Sequence, residues 1–401
     1  MESRLARQKI LVVIYLSAVL FGVLLPLVIS SEAATFQSVV IDPDMAGDCK
    51  AVGDIDGDGY PDLVVGGMPD EKLNWYRYPN WDKTVIATPS QEFTTDCSVG
   101  DVDGDGDLDI VVPDGNGSNN LLWFENPRPG GNPSNGANWI RRIIGSIGDY
   151  GKDVKPADFD GDGRLDVATR GYNQAMIFFQ TAPQTWSKVL LTVSNLGSEG
   201  LGLGDINKDN RPDLVVKGAW LKNPCGLDAR TPSNWTEYFI GQADSSFKAL
   251  VADLNGDTNP EVIFSSSENT ADLAWWSYGP AGPTGSWTKN IIFQNLEKAH
   301  TLQTADMDND GDLDIITAQM HTSLNKEVMI WFNTNGQGTA WQKQVLGSTG
   351  LHNGQVADIG NDGRYDIFGA NWTGNPPLRL WLNLPPASKP VYLPFLPLLL
   401  Q

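Results

Sequence analysis

Three cysteines, Cys49, Cys97 and Cys225, are too few to staple 401 residues, so a disulfide framework is excluded as the source of stability. Cys49 and Cys97 fall at near-equivalent places in adjacent repeats, which leaves one bridge or two buried thiols open. Positive charge is also scarce: 28 Lys and Arg against 49 Asp and Glu give a net charge of −21. Nucleic acid and anionic membrane surfaces need clustered basic side chains, so both are excluded, and cations become the natural counterpart. The chain has no nucleophile elbow, HExxH pair, phosphate loop or CxxC pair, the usual signatures of hydrolase, metalloprotease, nucleotide and redox sites. Only one long apolar run occurs, Ile10 to Ile29, preceded by Arg4, Arg7 and Lys9 and followed by small residues up to Ala34. Residues 1–34 read as a secretory signal peptide or an N-terminal anchor. Either implies a secreted or cell-surface protein whose membrane contact is confined to a terminal anchor.

What is abundant is glycine, tryptophan and one recurring string. DIDGDGYPD from Asp54, DVDGDGDLD from Asp101, DFDGDGRLD from Asp158, DINKDNRPD from Asp205, DLNGDTNPE from Asp253, DMDNDGDLD from Asp306 and DIGNDGRYD from Asp358 begin 47 to 57 residues apart. That period suits a four-stranded propeller blade and is too long for a β-helix coil. A β-branched run such as Leu63–Val65 or Ile110–Val112 follows each string, as expected of a strand buried on both faces. An aromatic segment comes next, with Trp75, Trp123, Phe178, Trp220, Trp276, Trp331 and Trp381, and then an outer strand. The seventh repeat lacks that outer strand, whereas Phe36 with Val39 and Val40 looks like an orphan one. The chain is therefore predicted to be all-β, a seven-bladed β-propeller of four-stranded blades over 35–384, closed by its N-terminal strand. Residues 385–401 form a Pro-rich apolar tail too short and broken to span a bilayer, either a tether or an unstructured end.

Each string places oxygen ligands at positions 1, 3, 5 and 9, with a backbone carbonyl expected at 7, like the first part of an EF-hand loop. Crowded carboxylates repel unless a divalent ion balances them, and calcium accepts oxygen ligands in a flexible geometry. The expected ligands are Asp54, Asp56, Asp58 and Asp62; Asp101, Asp103, Asp105 and Asp109; Asp158, Asp160, Asp162 and Asp166; and Asp306, Asp308, Asp310 and Asp314, four complete sets. The other three loops offer Asp205, Asn207, Asp209 and Asp213; Asp253, Asn255, Asp257 and Glu261; and Asp358, Asp362 and Asp366, with Gly360 supplying no side chain. Position 6 asks for a left-handed turn, met by Gly in five loops and tolerated by Asn210 but not by Thr258. Up to seven calcium ions are expected, held least well by the loops starting at Asp253 and Asp358. Seven ions would reduce the net charge from −21 to −7, leaving little acidic excess for a cationic partner.

These residues resemble the FG-GAP/VCBS repeat family, whose blades also form the head of integrin α chains. The resemblance covers nearly the whole chain after residue 34 and implies a propeller with structural rather than catalytic calcium. Fold does not fix function, because propellers serve adhesion, carbohydrate binding and catalysis alike.

The Asp loop joins the first and second strands of each blade, so the opposite face carries the start of the innermost strands. There the sequence supplies Asp48 and Cys49, Asp96, Lys152 and Asp153, Glu199, Lys248, His300, and His352 with Asn353. These either line a water-filled channel or form a site. His300 and His352 hold the same blade position in neighbouring repeats and could share a substrate or proton, while Lys152 and Lys248 could hold a uronate. His321 falls after a strand and is expected at the surface. Three functions fit: a noncatalytic binding or adhesion module for glycans or extracellular proteins, a polysaccharide lyase or sugar dehydratase using His300, His352, Lys152 or Lys248, and a structural cell-envelope protein. The first is favoured by the missing catalytic signatures. Aromatic side chains exposed on the axial face would point to glycans, and a close His/Lys pair to a lyase.

Overall fold

The computed structural model describes residues 34–67, 72–88, 93, 96–114, 118–373 and 377–385. The signal or anchor over 1–33 and the tail over 386–401 lie outside the described residues. Seven four-stranded antiparallel sheets form a ring, with three short 3-10 turns and no α-helix among the described residues. Six blades run in simple order from the inside out: 49–87, 98–146, 153–190, 202–239, 247–297 and 299–347. The seventh takes three strands from 352–384 and its outermost from Thr35–Asp42, which pairs antiparallel with Leu378–Leu384 from Thr35 opposite Leu384. The predicted closure is thus observed, and no blade is left one strand short. First strands of most neighbouring blades touch around the axis, the seventh against the first included.

Alternation along the second strands explains the packing. Ile110 and Val112 point into the core shared with the first blade, whereas Val111 points into the core shared with the third. A strand so placed must be apolar on both faces, which accounts for the unbroken β-branched runs. The apolar core is therefore divided into seven clusters, each sandwiched between adjacent blades. Trp75, Trp123 and Trp220 are almost wholly buried there. Each contributes on the order of 4 to 6 kcal/mol of gross burial, offsetting short strands and many glycines. Cys49 and Cys97 lie in one such cluster as free buried thiols.

A polar latch repeats alongside these cores. At the end of the third strand, a side-chain amide donates to the carbonyl at loop position 2 in the preceding blade: Asn126 to Ile55, Asn223 to Phe159 and Asn333 to Leu254, each at 2.8 Å. Gln180 does the same to Val102 at 2.8 Å and Asn383 to Met307 at 2.7 Å, while the Tyr278 hydroxyl reaches Ile206 at 3.3 Å. Six of the seven loops are thereby tied to the next blade through buried or half-buried contacts. The signal was present in the sequence as an amide two or three residues after the third-strand Trp or Phe.

Candidate functional site

Two faces carry polar clusters. On the first, all seven Asp loops adopt one conformation. The position 1 carboxylate accepts backbone N–H groups from the turn, as Asp54 does from Gly57, Asp58 and Gly59, and even the divergent loop keeps Thr258 N–H on Asp253 at 2.9 Å. Thr258 adopts φ +71°, so the expectation that Thr would not be tolerated at position 6 is corrected: the surrounding hydrogen bonds hold a β-branched residue in the left-handed region. Position 4 is left-handed in every loop as well, with Gly, Asn or Lys there, a requirement the sequence reading missed.

The position 9 acid works as a staple. One oxygen accepts the position 2 N–H in all seven loops, as Asp109 does from Val102 at 3.0 Å. In six blades the other accepts an N–H from the third strand, as Asp109 does from Asn126 at 2.7 Å. The exception is Glu261, whose longer side chain turns to Asn255 at 2.9 Å, occupying the position 3 amide of that loop. Burial, opposed by these hydrogen bonds, pushes Asp109 and Glu261 up to about 8, Asp166, Asp213 and Asp314 to about 7, and Asp62 and Asp366 to about 6.

The donor set fits a hard divalent cation. Carboxylate oxygens of Asp54, Asp56 and Asp58, of Asp101, Asp103 and Asp105, of Asp158, Asp160 and Asp166, and of Asp306, Asp308 and Asp314 lie within 4.8 Å of one another in each group. These are the four loops with complete ligand sets. Buried oxygens of Asp103 and Asp253 have no hydrogen-bond partner, as expected of groups oriented for a cation. Arg77 beside Asp56 and Asp58, and Arg230 beside Asp160 and Asp162, supply part of the balancing charge.

The second face surrounds the axis. In a four-stranded antiparallel blade, the turns between strands two and three emerge beside the starts of the inner strands. There, Asp48, Tyr150, Lys152, Glu199, Glu268, His300, His352 and Trp372 line a cavity of about 420 Å³. His300 and His352 stack with ring centroids 3.6 Å apart. His300 Nε2 lies 3.2 Å from Glu199 Oε1 and 3.5 Å from Glu268 Oε1, and His352 Nδ1 lies 2.9 Å from Asp48 Oδ1. Lys152 Nζ sits 3.5 Å from Glu199 and also over the rings of Tyr150 and Tyr172. Burial opposes charge on His300, but Glu199 outweighs it and raises the pKa. Burial and the neighbouring His300 drive His352 well below the ordinary range.

Lys248 is not at this mouth. It lines a second cavity of about 360 Å³ further along the axis, with Asp96, Asp153, Lys155 and Asn353, and lies 3.9 Å from Asp153. His300 borders both cavities. The structure thus brings His300, His352 and Lys152 to one cavity, while Lys248 lies further along the axis, close enough to act electrostatically on Glu199 and both histidines. Tyr150, Tyr172, Trp372 and Glu268 were missed because they come from turns that differ in every blade. His321 is half-buried, its ring 5.8 Å from Trp372.

A profile of the FG-GAP-like repeat matches residues 54–112, 101–169, 158–216 and 253–317, a span that covers more than half of the chain. No curated protein sequence matches. Among solved structures, a lectin from Agrocybe aegerita described for specific recognition of non-reducing terminal N-acetylglucosamine is 16% identical, with a TM-score of 0.52 over 79% of this chain and 81% of its own. The biofilm matrix protein Bap1 of V. cholerae is 9% identical, with a TM-score of 0.49 over 88% and 92%. AofleA from Arthrobotrys oligospora is 13% identical, with a TM-score of 0.46 over 79% and 90%. The likeness to the Agrocybe lectin is one of fold.

Proposed function

Since this chain belongs to the FG-GAP-like repeat family, we propose that its Asp loops hold structural calcium and that the axial mouth is a noncatalytic glycan-binding site of an exported protein. The observation that carries the reading is the aromatic rim. Tyr172 is 44% exposed and stacks on Tyr150 at 5.7 Å, and Trp372 lines the same cavity as the charged cluster. Flat rings beside hydrogen-bonding groups suit a sugar, whose C–H face packs on an aromatic while its hydroxyls find polar partners. The same fold carries N-acetylglucosamine recognition in the Agrocybe lectin, although that likeness transfers no residue.

The candidate catalytic groups support binding over chemistry. His300 and His352 are 1% and 3% exposed, and each already faces a carboxylate. Lys152 is engaged by Glu199. A lyase base must instead reach the proton it removes. One observation favours the lyase, namely that His300, His352 and Lys152 border a single cavity. A glycan and polyuronate array on the purified protein in calcium, followed for ultraviolet absorbance, separates the two. We expect binding without unsaturated product, weakened about tenfold by Trp372→Ala. New absorbance lost on His352→Ala would make the protein a lyase, and silence in both assays would leave protein adhesion or an envelope role.

A further inference from the structure

We propose that Glu199, Glu268 and His300 form a metal centre for a Zn²⁺-type dication, separate from the Asp loops and on the opposite face of the disc. The evidence is geometric. The three ligand atoms lie within 4.8 Å of one another, with His300 Nε2 at 3.2 Å from Glu199 Oε1 and 3.5 Å from Glu268 Oε1. Four ligands held ~2.0–2.1 Å from a tetrahedral zinc are separated from each other by ~3.3 Å. The two His–Glu edges therefore match a zinc polyhedron with little movement.

The proton inventory points the same way. His300 Nδ1 lies 3.2 Å from Asn353 Oδ1, and the amide nitrogen of Asn353 donates to the carbonyl of Asp48 at 3.5 Å. The amide is thus oriented with its oxygen toward the ring, so Nδ1 carries a hydrogen and Nε2 is the position that a proton or a metal ion would occupy. That nitrogen is buried, lacks a hydrogen-bond partner and faces two carboxylates. Nε2 and two carboxylate oxygens converging on one point suit a cation between them, a proton in the metal-free protein that a dication would displace. Metal-binding histidines are oriented in this way, the second ring nitrogen held by an outer acceptor. Glu199 is positioned in turn by the Ser267 hydroxyl and by Lys152. One imidazole and two carboxylates suit zinc, with a fourth position open to the mouth cavity, whereas calcium takes six to eight oxygens.

The test is a titration of Co²⁺ into the calcium-saturated full-length protein, watching the visible bands of four-coordinate cobalt. We expect one equivalent to bind, Zn²⁺ to displace it, and Glu268→Gln, an exposed change that spares the fold, to weaken binding at least tenfold. His300→Ala should abolish the bands. No visible band at one equivalent, or a band unchanged in both variants, would overturn the proposal and leave a proton in the metal's place. Because Tyr172→Ala should leave the cobalt bands intact while weakening sugar binding, failure of this inference is distinguishable from failure of the glycan reading.

Discussion

On one face of the disc the same turn, the same carboxylate staple and nearly the same latch recur from blade to blade; on the other, apart from the paired His300 and His352, equivalent positions carry different side chains. Lys152, Glu199, Tyr172 and Trp372 have no counterpart at the same place in the neighbouring blades. Repetition marks what every blade needs in order to fold and dock, and its loss marks where selection is for something other than folding. Changes on the loop face should therefore appear in stability, and changes at the mouth in binding.

Removing the calcium proposed for the Asp loops should be the largest perturbation. Each ion held at a hundred times its dissociation constant contributes about 2.7 kcal/mol, so chelation should lower the calorimetric midpoint by many degrees. An unchanged midpoint would break the comparison at its root. Breaking one latch comes next. Asn333→Ala leaves the buried Leu254 carbonyl without its 2.8 Å donor and should cost about 2 kcal/mol in a urea titration in calcium. If the variant melts like the wild type, the latch is only incidental to blade docking.

Acidity should sharpen the contrast further. In chelator, the folded chain keeps protons on Asp109 and Glu261 up to about pH 8, and on Asp166, Asp213 and Asp314 up to about pH 7. The unfolded chain releases them near pH 4. The native state thus binds more protons across that window, and its stability should fall as pH rises from 6 to 8. Melting curves at the two pH values check the sign, and calcium should flatten the trend. Smaller still, Thr258→Gly should relieve the strained φ of +71° and stabilise the domain by about 1 kcal/mol. At the mouth, Tyr172→Ala should change stability by less than about 0.5 kcal/mol while weakening sugar binding.

How far the sequence reached follows from the same contrast. The blades, their strand order and the closing strand were legible because the Asp strings, β-branched runs and third-strand aromatics recur at one period. The stacked pair was legible because His300 and His352 occupy equivalent places before neighbouring loops. Thr258 misled because a local preference was weighed without the hydrogen bonds that override it. The latch escaped notice because its amide and its carbonyl belong to different blades, 71 residues apart for Asn126 and Ile55. Tyr150, Tyr172, Trp372 and Glu268 had no periodic signal at all, since only the ring geometry brings their turns together.

The closing strand sets an order of events. Among the described residues, Thr35–Asp42 is the first blade strand to be synthesised and its sheet partner, Leu378–Leu384, is the last. Until the chain is complete, that strand carries a bare row of backbone donors and acceptors, open to pairing with any neighbouring edge. The ring can then shut only in a final long-range step, which slows folding but commits every blade at once. A chain cut short before residue 378 would lose more than part of one blade: it would leave an arc with two sticky ends, prone to join other arcs into open chains rather than remain a single disc.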